Sequence, residues 1–243
     1  MEERQFTCHC STERCLHKVP LFASLNDASL ESLTDKMSHR VYRKGEILVM
    51  EGQQPLGFTV IHSGSAKAYR TTSDGKEQIL YIFPAHDYFG ARFLFTEDEV
   101  PYCVEALEET HVCILSKQQL KDILIEHPKV ALELIEAMAK RMKRLELLMQ
   151  QSGKKKAEIR IAAILLEFAE TYGTQENGRT VVNLPLSQEG IANYVGVARE
   201  TLSRKLSQLE EEKIVEFTER LQMVVLDTEK LIALSSGEYE LNV

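Results

Sequence analysis

The sequence predicts an α+β chain in which an antiparallel β-roll is followed by a long helix and then by a C-terminal helix-turn-helix with a strand hairpin. Three observations support this prediction. Short apolar runs broken by glycine fill residues 41–115, an apolar stripe of helical spacing follows Pro128, and two amphipathic patterns separated by Gly196 occupy residues 187–209. The chain has 243 residues, which is enough for two domains.

The composition is that of a globular protein. The chain is 44% hydrophobic and 27% charged, which is ordinary for folded domains. Because it has no run of about 18 apolar residues, we expect no membrane span and no membrane partner. The opening Met-Glu-Glu-Arg-Gln lacks the apolar core of a signal peptide. We therefore expect a cytoplasmic protein, in which thiols usually stay reduced.

Changes of pattern along the chain predict four segments. Hydrophobic periodicity is weak at the N-terminus, begins with a short helix after Asn26, turns strand-like after Val41 and becomes helical after Pro128. The predicted segments are a cysteine-rich N-terminal segment at 1–18, a β-roll domain at 19–127, a long helix at 128–152 and a C-terminal domain at 153–243.

The β-roll prediction depends on apolar runs that alternate with glycine-containing turns. The strongest turn signal is Ser73-Asp74-Gly75, since Asp-Gly suits the type I′ turn of a hairpin. Several short strands at such spacing favour an antiparallel roll or barrel. Strands are expected at 46–50, 58–61, 66–70, 78–83 and 111–115.

The stripe after Pro128 runs for nearly three heptads, and a helix of this length has to bury it. One solution is a parallel coiled coil with a second copy of the chain. The other is packing against the helix's own β-domain. For the coiled coil, the predicted seam residues are Leu134, Met138, Met142, Leu145 and Met149.

The C-terminal domain is predicted to start after a helix end or hinge at Ser152-Gly153. A second amphipathic helix follows at 156–172, and then a polar loop at 174–179. Strands are expected at 180–184, 214–218 and 222–226, of which the last two form a hairpin after the helix pair.

Residues 187–209 predict a helix-turn-helix that docks on DNA. Ser187 can cap the first helix, small Ala192 lets the second helix cross closely, and Gly196 suits a turn with positive φ. The N-terminal residues of the second helix would reach base edges in the major groove. Arg prefers guanine and Glu accepts from cytosine. The alternative is an ordinary helix pair with a solvated face. The buried face is predicted to carry Val195, Val197, Leu202, Leu206 and Leu209, and the polar face Arg199, Glu200, Ser203 and Arg204.

The net charge of −8 argues weakly against a nucleic-acid partner, but phosphate contacts are local. Between Lys140 and Arg160, eight basic residues stand against Glu146 and Glu158, a local charge of 8 − 2 = +6. The acidic run 210–212 is expected to form the solvent-facing end of the second helix.

The order of these segments resembles the CRP/FNR family of bacterial transcription regulators, and most closely its FNR and FNR-like (Flp) branch. The resemblance covers nearly the whole chain. The motifs that carry it are Lys44-Gly45-Glu46, Gly64-Ser65-Ala66-Lys67, Asp74-Gly75-Lys76-Glu77-Gln78 and Val197-Ala198-Arg199-Glu200-Thr201-Leu202-Ser203-Arg204. Ala198 departs from the Ser or Thr that often caps this helix in the family, and Gly190 stands where a capping box would have Glu.

The resemblance implies a cyclic-nucleotide-binding-type β-roll (a jelly-roll), a dimerisation helix and a winged helix-turn-helix. It also implies a homodimer that regulates transcription, binds double-stranded DNA at an inverted repeat, has RNA polymerase as a partner and is not an enzyme. Glu200 and Arg204 would contact a TGA-type core, Arg199 and Ser203 the outer bases, and Lys205 a phosphate. The full set of expected DNA-binding residues is Ser187, Gln188, Arg199, Glu200, Thr201, Ser203, Arg204 and Lys205.

Members of the family that bind cyclic nucleotides carry a Gly-Glu pair and an Arg followed by Ser or Thr. The matching stretch here has Gly90-Ala91 and Pro101-Tyr102, and Arg92 stands at neither position. We therefore do not expect cyclic AMP as the effector.

Five cysteines are present, and three of them lie in the first fifteen residues. The FNR branch holds a [4Fe–4S] cluster with such an N-terminal group and one distant cysteine, a position that the resemblance assigns to Cys113. The spacing Cys-x-Cys-x₄-Cys is narrower at its first pair than in the iron–sulfur members. Four interpretations stay open: a cluster on Cys8, Cys10, Cys15 and Cys113, a disulfide from an N-terminal cysteine to Cys103 or Cys113, zinc with His9 or His17, or incidental thiols.

The remaining histidines, among them His39, show no ligand spacing and are expected at the surface or in the core. The first functional hypothesis is a regulator that responds to oxygen or redox state through its cysteines. The alternative is a regulator of the same architecture with a small-molecule effector in the β-roll. A metal-dependent enzyme or storage module has no positive support in the sequence.

Overall fold

The computed structural model describes residues 15–150, 154–176, 178–219, 221–239 and 241. The chain divides into two compact units, with the boundary between Lys143 and Arg144. The boundary falls inside the long helix that the sequence predicts. Within the described ranges, no helix combines the length and the hydropathy needed to cross a membrane.

The first unit contains the predicted β-roll. It is built from two four-stranded antiparallel sheets, in the orders β1-β8-β3-β6 and β2-β7-β4-β5. A hairpin joins β4 to β5 at Asp74-Gly75, as predicted. The type I′ turn is wrong, because φ is positive at Gly75 (80°) but not at Asp74, and a type I′ turn needs both. The sequence does not predict β6, β7 and most of β1, because these strands are short or no glycine-containing turn precedes them. The strands are β1 Ser38–Tyr42, β2 Ile47–Val49, β3 Phe58–Ser63, β4 Ala66–Thr71, β5 Glu77–Phe83, β6 Tyr88–Phe89, β7 Cys103–Ala106 and β8 Thr110–Leu115.

The β1-β8-β3-β6 sheet is buried on both faces. Along β8, Val112 and Ile114 point one way while Cys113 and Leu115 point the other, as pleating requires. The first pair packs in an inter-sheet core between the two sheets. The second pair packs in a helix-side core, whose buried members are Leu16, Val19, Leu21, Phe22, Leu30, Leu33, Met37, Phe58, Val60, Tyr88, Ala91, Cys113, Leu115, Leu120, Ile123, Val130 and Leu134.

Helical elements cover the outer face of this sheet. Short 3-10 turns at Cys15–Lys18 and Pro20–Phe22 precede α1 (Asp27–Lys36), which Asn26 caps by accepting from the backbone N–H of Ser29. A helix that the sequence did not predict, α2 (Lys117–Glu126), follows β8 directly. Ser116 and Gln119 form its capping box, a signal present in the sequence.

The long helix α3 (Pro128–Gln150) has two faces with different surroundings. Val130 and Leu134 are buried in the helix-side core, and Ala137 packs against it. The placement of Leu134 in a seam between two chains therefore differs from the structure, because this side chain is 2% exposed within its own unit. The residues exposed on the other face are Leu132, Ile135, Met138 and Met142. The side chains of Leu145 and Met149 lie outside the described part of the helix.

The second unit joins α4 (Lys154–Tyr172) to a sheet of order β11-β12-β10-β9 and three further helices. The polar loop predicted at 174–179 is wrong, because β9 pairs with β10 in a tight hairpin there. The proposed hinge at Ser152-Gly153 lies outside the described residues. The remaining elements are β9 Gly173–Glu176, β10 Arg179–Asn183, α5 Gln188–Val195, α6 Arg199–Glu211, β11 Val215–Glu219, β12 Gln222–Val225 and α7 Thr228–Ser236.

Truncating one leucine on each face of α3 tests the two-faced assignment. Because Leu134 is 2% and Leu132 is 62% exposed, we expect Leu134→Ala to lower the free energy of unfolding of the first unit by about 2–5 kcal/mol. The matched Leu132→Ala change should alter it by less than about 0.5 kcal/mol. Urea unfolding followed by circular dichroism measures both, and equal losses would contradict the assignment.

Candidate DNA-binding helix and cysteine site

The helix-turn-helix forms as the sequence predicts. Ser187 caps α5 by accepting from the backbone N–H of Gly190 at 3.2 Å, and Gly196 ends the helix at φ 75°. Ala192 is buried. The structure also explains Gly190, because a Cβ there would lie 3.1 Å from the Cβ of Leu186. For a capping-box Glu at this position, Leu186 would have to move by a few tenths of an ångström.

The second helix of the motif, α6, presents a short polar face to solvent. Leu202, Leu206 and Leu209 bury its inner side. Ala198 provides no side-chain cap, so the first backbone N–H groups of α6 have no side-chain acceptor at that position. On the outer side, Thr201 is half-buried, and the exposed residues are Arg199, Glu200, Ser203 and Arg204. At the start of α5, Ser187 and Gln188 are also exposed.

Lys205 differs from its predicted role as a phosphate contact. Its Nζ lies 2.5 Å from Oε2 of Glu158 on α4, and the two side chains are only 19% and 14% exposed. Glu158 also accepts from the backbone N–H of Leu241 through Oε1. Because its charge is engaged inside the unit, Lys205 holds α6 against α4. Nothing in the local sequence pattern pairs residues 47 positions apart.

The acidic run 210–212 at the end of α6 contacts the strand hairpin that follows. Glu210 accepts from the backbone N–H of Phe217 at 3.1 Å, in the middle of β11, and Glu212 accepts from the hydroxyl of Tyr239. β11 and β12 form the predicted wing, with Leu221 exposed at its turn. The run therefore supports the wing in addition to ending α6.

Cys113 is the one member of the predicted cysteine set whose side chain the structure describes. It is 2% exposed in the helix-side core, and its Sγ lies 3.2 Å from Nδ1 of His39. Leu16, which directly follows Cys15, is buried in the same core. Cys8 and Cys10 lie outside the described residues, as does the side chain of Cys15. Among described residues, no group of three or more metal-ligating side chains forms.

Cys103 lies on the opposite side of the β-roll. In β7, Val104 and Ala106 point into the inter-sheet core, so Cys103 and Glu105 point outward from the other sheet. The Sγ of Cys103 accepts from the backbone N–H of Glu51 at 3.4 Å. Burial, followed by the charges of Cys103, Glu105 and Glu77, raises the pKa of the neighbouring Tyr69 to about 12. Two sheets therefore separate Cys103 from the turn that begins at Cys15.

The segment that matches the family's phosphate cassette is filled by aromatic side chains. Phe93 and Tyr102 help to line a cavity of about 10 Å³, which is room for about one water molecule. None of its ten lining residues carries a charge. Arg92 is exposed and stacks on the Phe93 ring at 4.8 Å. The described lining offers no cation for a cyclic phosphate.

Arg141 joins α3 to the β-roll of its own chain. Its Nη2 lies 2.6 Å from Oδ1 of Asp87 and donates to the carbonyl of Tyr88 at 2.9 Å. The guanidinium also stacks over the Tyr88 ring at 4.8 Å. The charge of Arg141 is therefore paired within the first unit.

These features together define a class of protein, the regulators of transcription that join a β-roll to a DNA-binding helix-turn-helix. Residues 39–127 match the family model described as Cyclic nucleotide-binding domain, and residues 159–234 match the Crp-like helix-turn-helix domain. The chain belongs to the CRP/FNR family and is a DNA-binding transcription regulator.

The similarity to known proteins covers most of the chain. The probable transcriptional regulator flp of Lacticaseibacillus casei is 29% identical over 89% of this chain and 96% of its own length. The transcriptional activator protein FnrA of Stutzerimonas stutzeri is 28% identical over 96% of this chain and 95% of its own. The structure of FixK2 from Bradyrhizobium japonicum has a TM-score of 0.70 at 28% identity, over 82% of this chain and 96% of its own. Such homologues are transcriptional regulators and not enzymes.

Replacing Lys205 by Met tests its structural role. We expect the second unit to lose about 1–3 kcal/mol of unfolding free energy, because Glu158 loses its partner. A double-mutant cycle with Glu158→Gln should show that the two losses are not additive. DNA affinity, measured by fluorescence anisotropy, should keep the salt dependence of the unsubstituted protein, since no phosphate contact is lost. If the slope of log K against log salt instead falls by about one in Lys205→Met, the result would support a contact between Lys205 and phosphate.

Proposed function

We propose that the protein is a dimeric, sequence-specific regulator that responds to oxygen or redox state through Cys8, Cys10, Cys15 and Cys113. One observation carries the sensing part of this proposal. The turn that begins at Cys15 buries Leu16 in the core that contains Cys113. A bond that joined an N-terminal cysteine to Cys113, directly or through a metal, would therefore tie down a segment that already packs there.

The same placement favours Cys113 over Cys103 as the distant thiol. The two cysteines face away from the inter-sheet core on different sheets, and packed sheets lie about 10 Å apart. A disulfide spans only about 4.4–6.8 Å between Cα atoms. Since the N-terminal turn packs on the Cys113 side, a bond from Cys15 to Cys103 would need this turn to leave its core.

Thiolates fit an iron–sulfur cluster, and Cys8, Cys10, Cys15 and Cys113 would hold it. When bound, a [4Fe–4S] cluster supplies sensitivity to oxygen and to electron supply. The chain's own part is to keep Cys113 in an apolar core and to fix the N-terminal turn beside it. In the second form of the proposal, a disulfide between an N-terminal cysteine and Cys113 would sense redox state in place of a cluster.

A cyclic nucleotide or another effector inside the β-roll is the alternative. It would have to open a cavity of about 10 Å³ whose lining has no charged residue. Burying a phosphate without a cation or several donors is costly. The aromatic filling around Phe93 and Tyr102 therefore supports a sensor that does not use cyclic AMP.

The DNA-binding part is proposed for the exposed N-terminal half of α6. Glu200 and Arg204 would contact a TGA-type core in the major groove, with Arg199 and Ser203 at the outer bases. Thr201 lies on the edge of this surface, and Ser187 and Gln188 stand at the start of α5, where backbone phosphate would pass. Lys205 is left out, because Glu158 binds its charge.

Dimerisation is proposed for the exposed stripe of α3. Ile135, Met138 and Met142 follow the alternating three- and four-residue spacing of a coiled-coil seam, and Leu145 and Met149 continue it. Two chains would present two copies of α6 to an inverted repeat with half-sites about one DNA turn apart. RNA polymerase would be the further partner of the bound dimer.

Arg141 is proposed to carry the signal from the sensor to this stripe. Cys113 pairs with Val60, and Val60 pairs with Tyr88, so the three residues form one row across β8, β3 and β6 on the helix side. Arg141 stacks on Tyr88 and binds Asp87 beside it. A shift of the row would move Arg141, and with it the face that α3 presents to a partner.

Removing the N-terminal thiols tests the sensing assignment. We expect wild-type DNA affinity to differ about 5–150-fold between anaerobic and air-exposed protein, the range of a useful switch. A variant with Cys8, Cys10 and Cys15 all changed to Ser should lose this difference, measured by anisotropy with labelled DNA. The control Cys103→Ser should keep it, because Cys103 faces the other side of the roll. A triple variant with the full wild-type response would favour a small-molecule effector instead.

Glu200→Ala tests the contact surface on α6. Removing one carboxylate that accepts from a base should relax preference at one base pair by about 1–3 kcal/mol, with little effect at other positions. The matched control is Glu211→Ala, also exposed on α6 but at its far end, which should leave discrimination unchanged. Affinity for a set of single-base variants of the site measures both. An equal loss on specific and random DNA would refute the assignment.

Arg141→Gln tests the connection between sensor and helix. Loss of the contact with Asp87 should make backbone amides near residue 141 exchange about fivefold faster, equivalent to about 1 kcal/mol. The difference in DNA affinity between redox states should shrink in parallel. Lys140→Gln, one position away and exposed, is the control. Unchanged amide exchange together with an intact response would exclude Arg141 as the carrier.

A further inference from the structure

We propose that His39 is a positioning residue for Cys113, holding its sulfur by an Nδ1–H···Sγ hydrogen bond and thereby setting the stability and redox potential of the cysteine site. The proposal rests on the proposed function, because it assigns to Cys113 the role of a thiolate ligand. His39 showed no ligand spacing in the sequence. Only the pairing of two strands brings it to Cys113, 74 positions away.

Strand register places the two side chains together. β1 and β8 are antiparallel neighbours, and His39 is directly opposite Cys113 in their register. Directly opposite residues point to the same face of a sheet, which here is the helix side. The distance from Nδ1 to Sγ is 3.2 Å. His39 is half-buried, whereas Cys113 is 2% exposed.

The surroundings of Cys113 give this contact its importance. The helix-side core around it is formed by aliphatic and aromatic side chains such as Phe58, Val60 and Leu115. A thiol is stable in such a core, but a thiolate is costly there without a hydrogen-bond donor. Metal ligation and disulfide exchange both use the thiolate. An imidazole N–H at 3.2 Å is such a donor for this sulfur.

A donor at a ligating sulfur has two measurable consequences. It orients the ligand, and loss of such a partner typically costs about 10–100-fold in metal affinity. It also stabilises the more negative, reduced state of an iron–sulfur cluster, so the midpoint potential rises when the bond is present. A residue with a purely structural role would affect folding but would have no specific effect on the potential.

The experiment compares wild-type protein, His39→Phe, His39→Asn and the matched control His111→Phe, all reconstituted anaerobically with iron and sulfide. His111 lies on the same strand as Cys113, but its ring contacts Glu109. For His39→Phe we expect a midpoint potential more negative than in wild type and iron that is lost to a chelator about 10–100-fold faster. His39→Asn, whose amide can donate, should recover part of both properties. His111→Phe should match wild type.

The results distinguish the role of His39 from the proposed function of the protein. If wild type holds a cluster and His39→Phe has the wild-type potential and iron loss, the role of His39 is refuted while the proposed function stands. If circular dichroism shows that His39→Phe does not fold, His39→Asn decides. A midpoint potential of His39→Asn that falls as far as expected for a variant with no hydrogen-bond donor would count against the hydrogen bond. If wild type binds no cluster and shows no redox response, the proposed function fails and this inference fails with it.

Discussion

The architecture of the first unit depends on α3 being packed on one face only. Val130, Leu134 and Ala137 place this helix on the helix-side core, and Arg141 extends the contact by one turn with a polar group. The opposite face keeps Leu132, Ile135, Met138 and Met142 in solvent. The contact of Val130, Leu134 and Ala137 with the core is apolar and hard to separate. The contact of Arg141 is an ion pair with Asp87 and a ring contact with Tyr88. Movement of α3 relative to the roll should therefore start at Arg141.

The β1-β8-β3-β6 sheet connects this helix to Cys113. Since it is buried on both faces, a change at one residue is felt by its neighbours in a tightly packed environment. His39, Cys113, Val60 and Tyr88 form one row across its four strands. One end of the row holds His39 and Cys113, and Tyr88 at the other end supports Arg141. The opposite sheet carries Cys103 on its outer face.

The sequence predicted the features that local patterns encode, and missed those that depend on tertiary contacts. The Asp74-Gly75 hairpin, the Ser187 cap and the turn at Gly196 follow from local chemistry, and all three are present. Leu134 was assigned to a seam because heptad spacing does not distinguish a face packed on its own domain from one packed on a partner. Lys205 was assigned to phosphate because its partner Glu158 lies 47 positions away. The contact of His39 with Cys113 likewise required the register of two strands.

The central claim is that the exposed stripe of α3 meets a second copy of the chain. A benzophenone-bearing amino acid placed at Met142, and separately at Lys140, tests it by photo-crosslinking anaerobic and air-exposed protein. Met142 belongs to the stripe, while Lys140 lies on the side of the helix away from it. The account predicts covalent dimers from position 142 and none from position 140, with a yield that changes with exposure to air. Dimers in equal yield from both positions, or from neither under any condition, would contradict it.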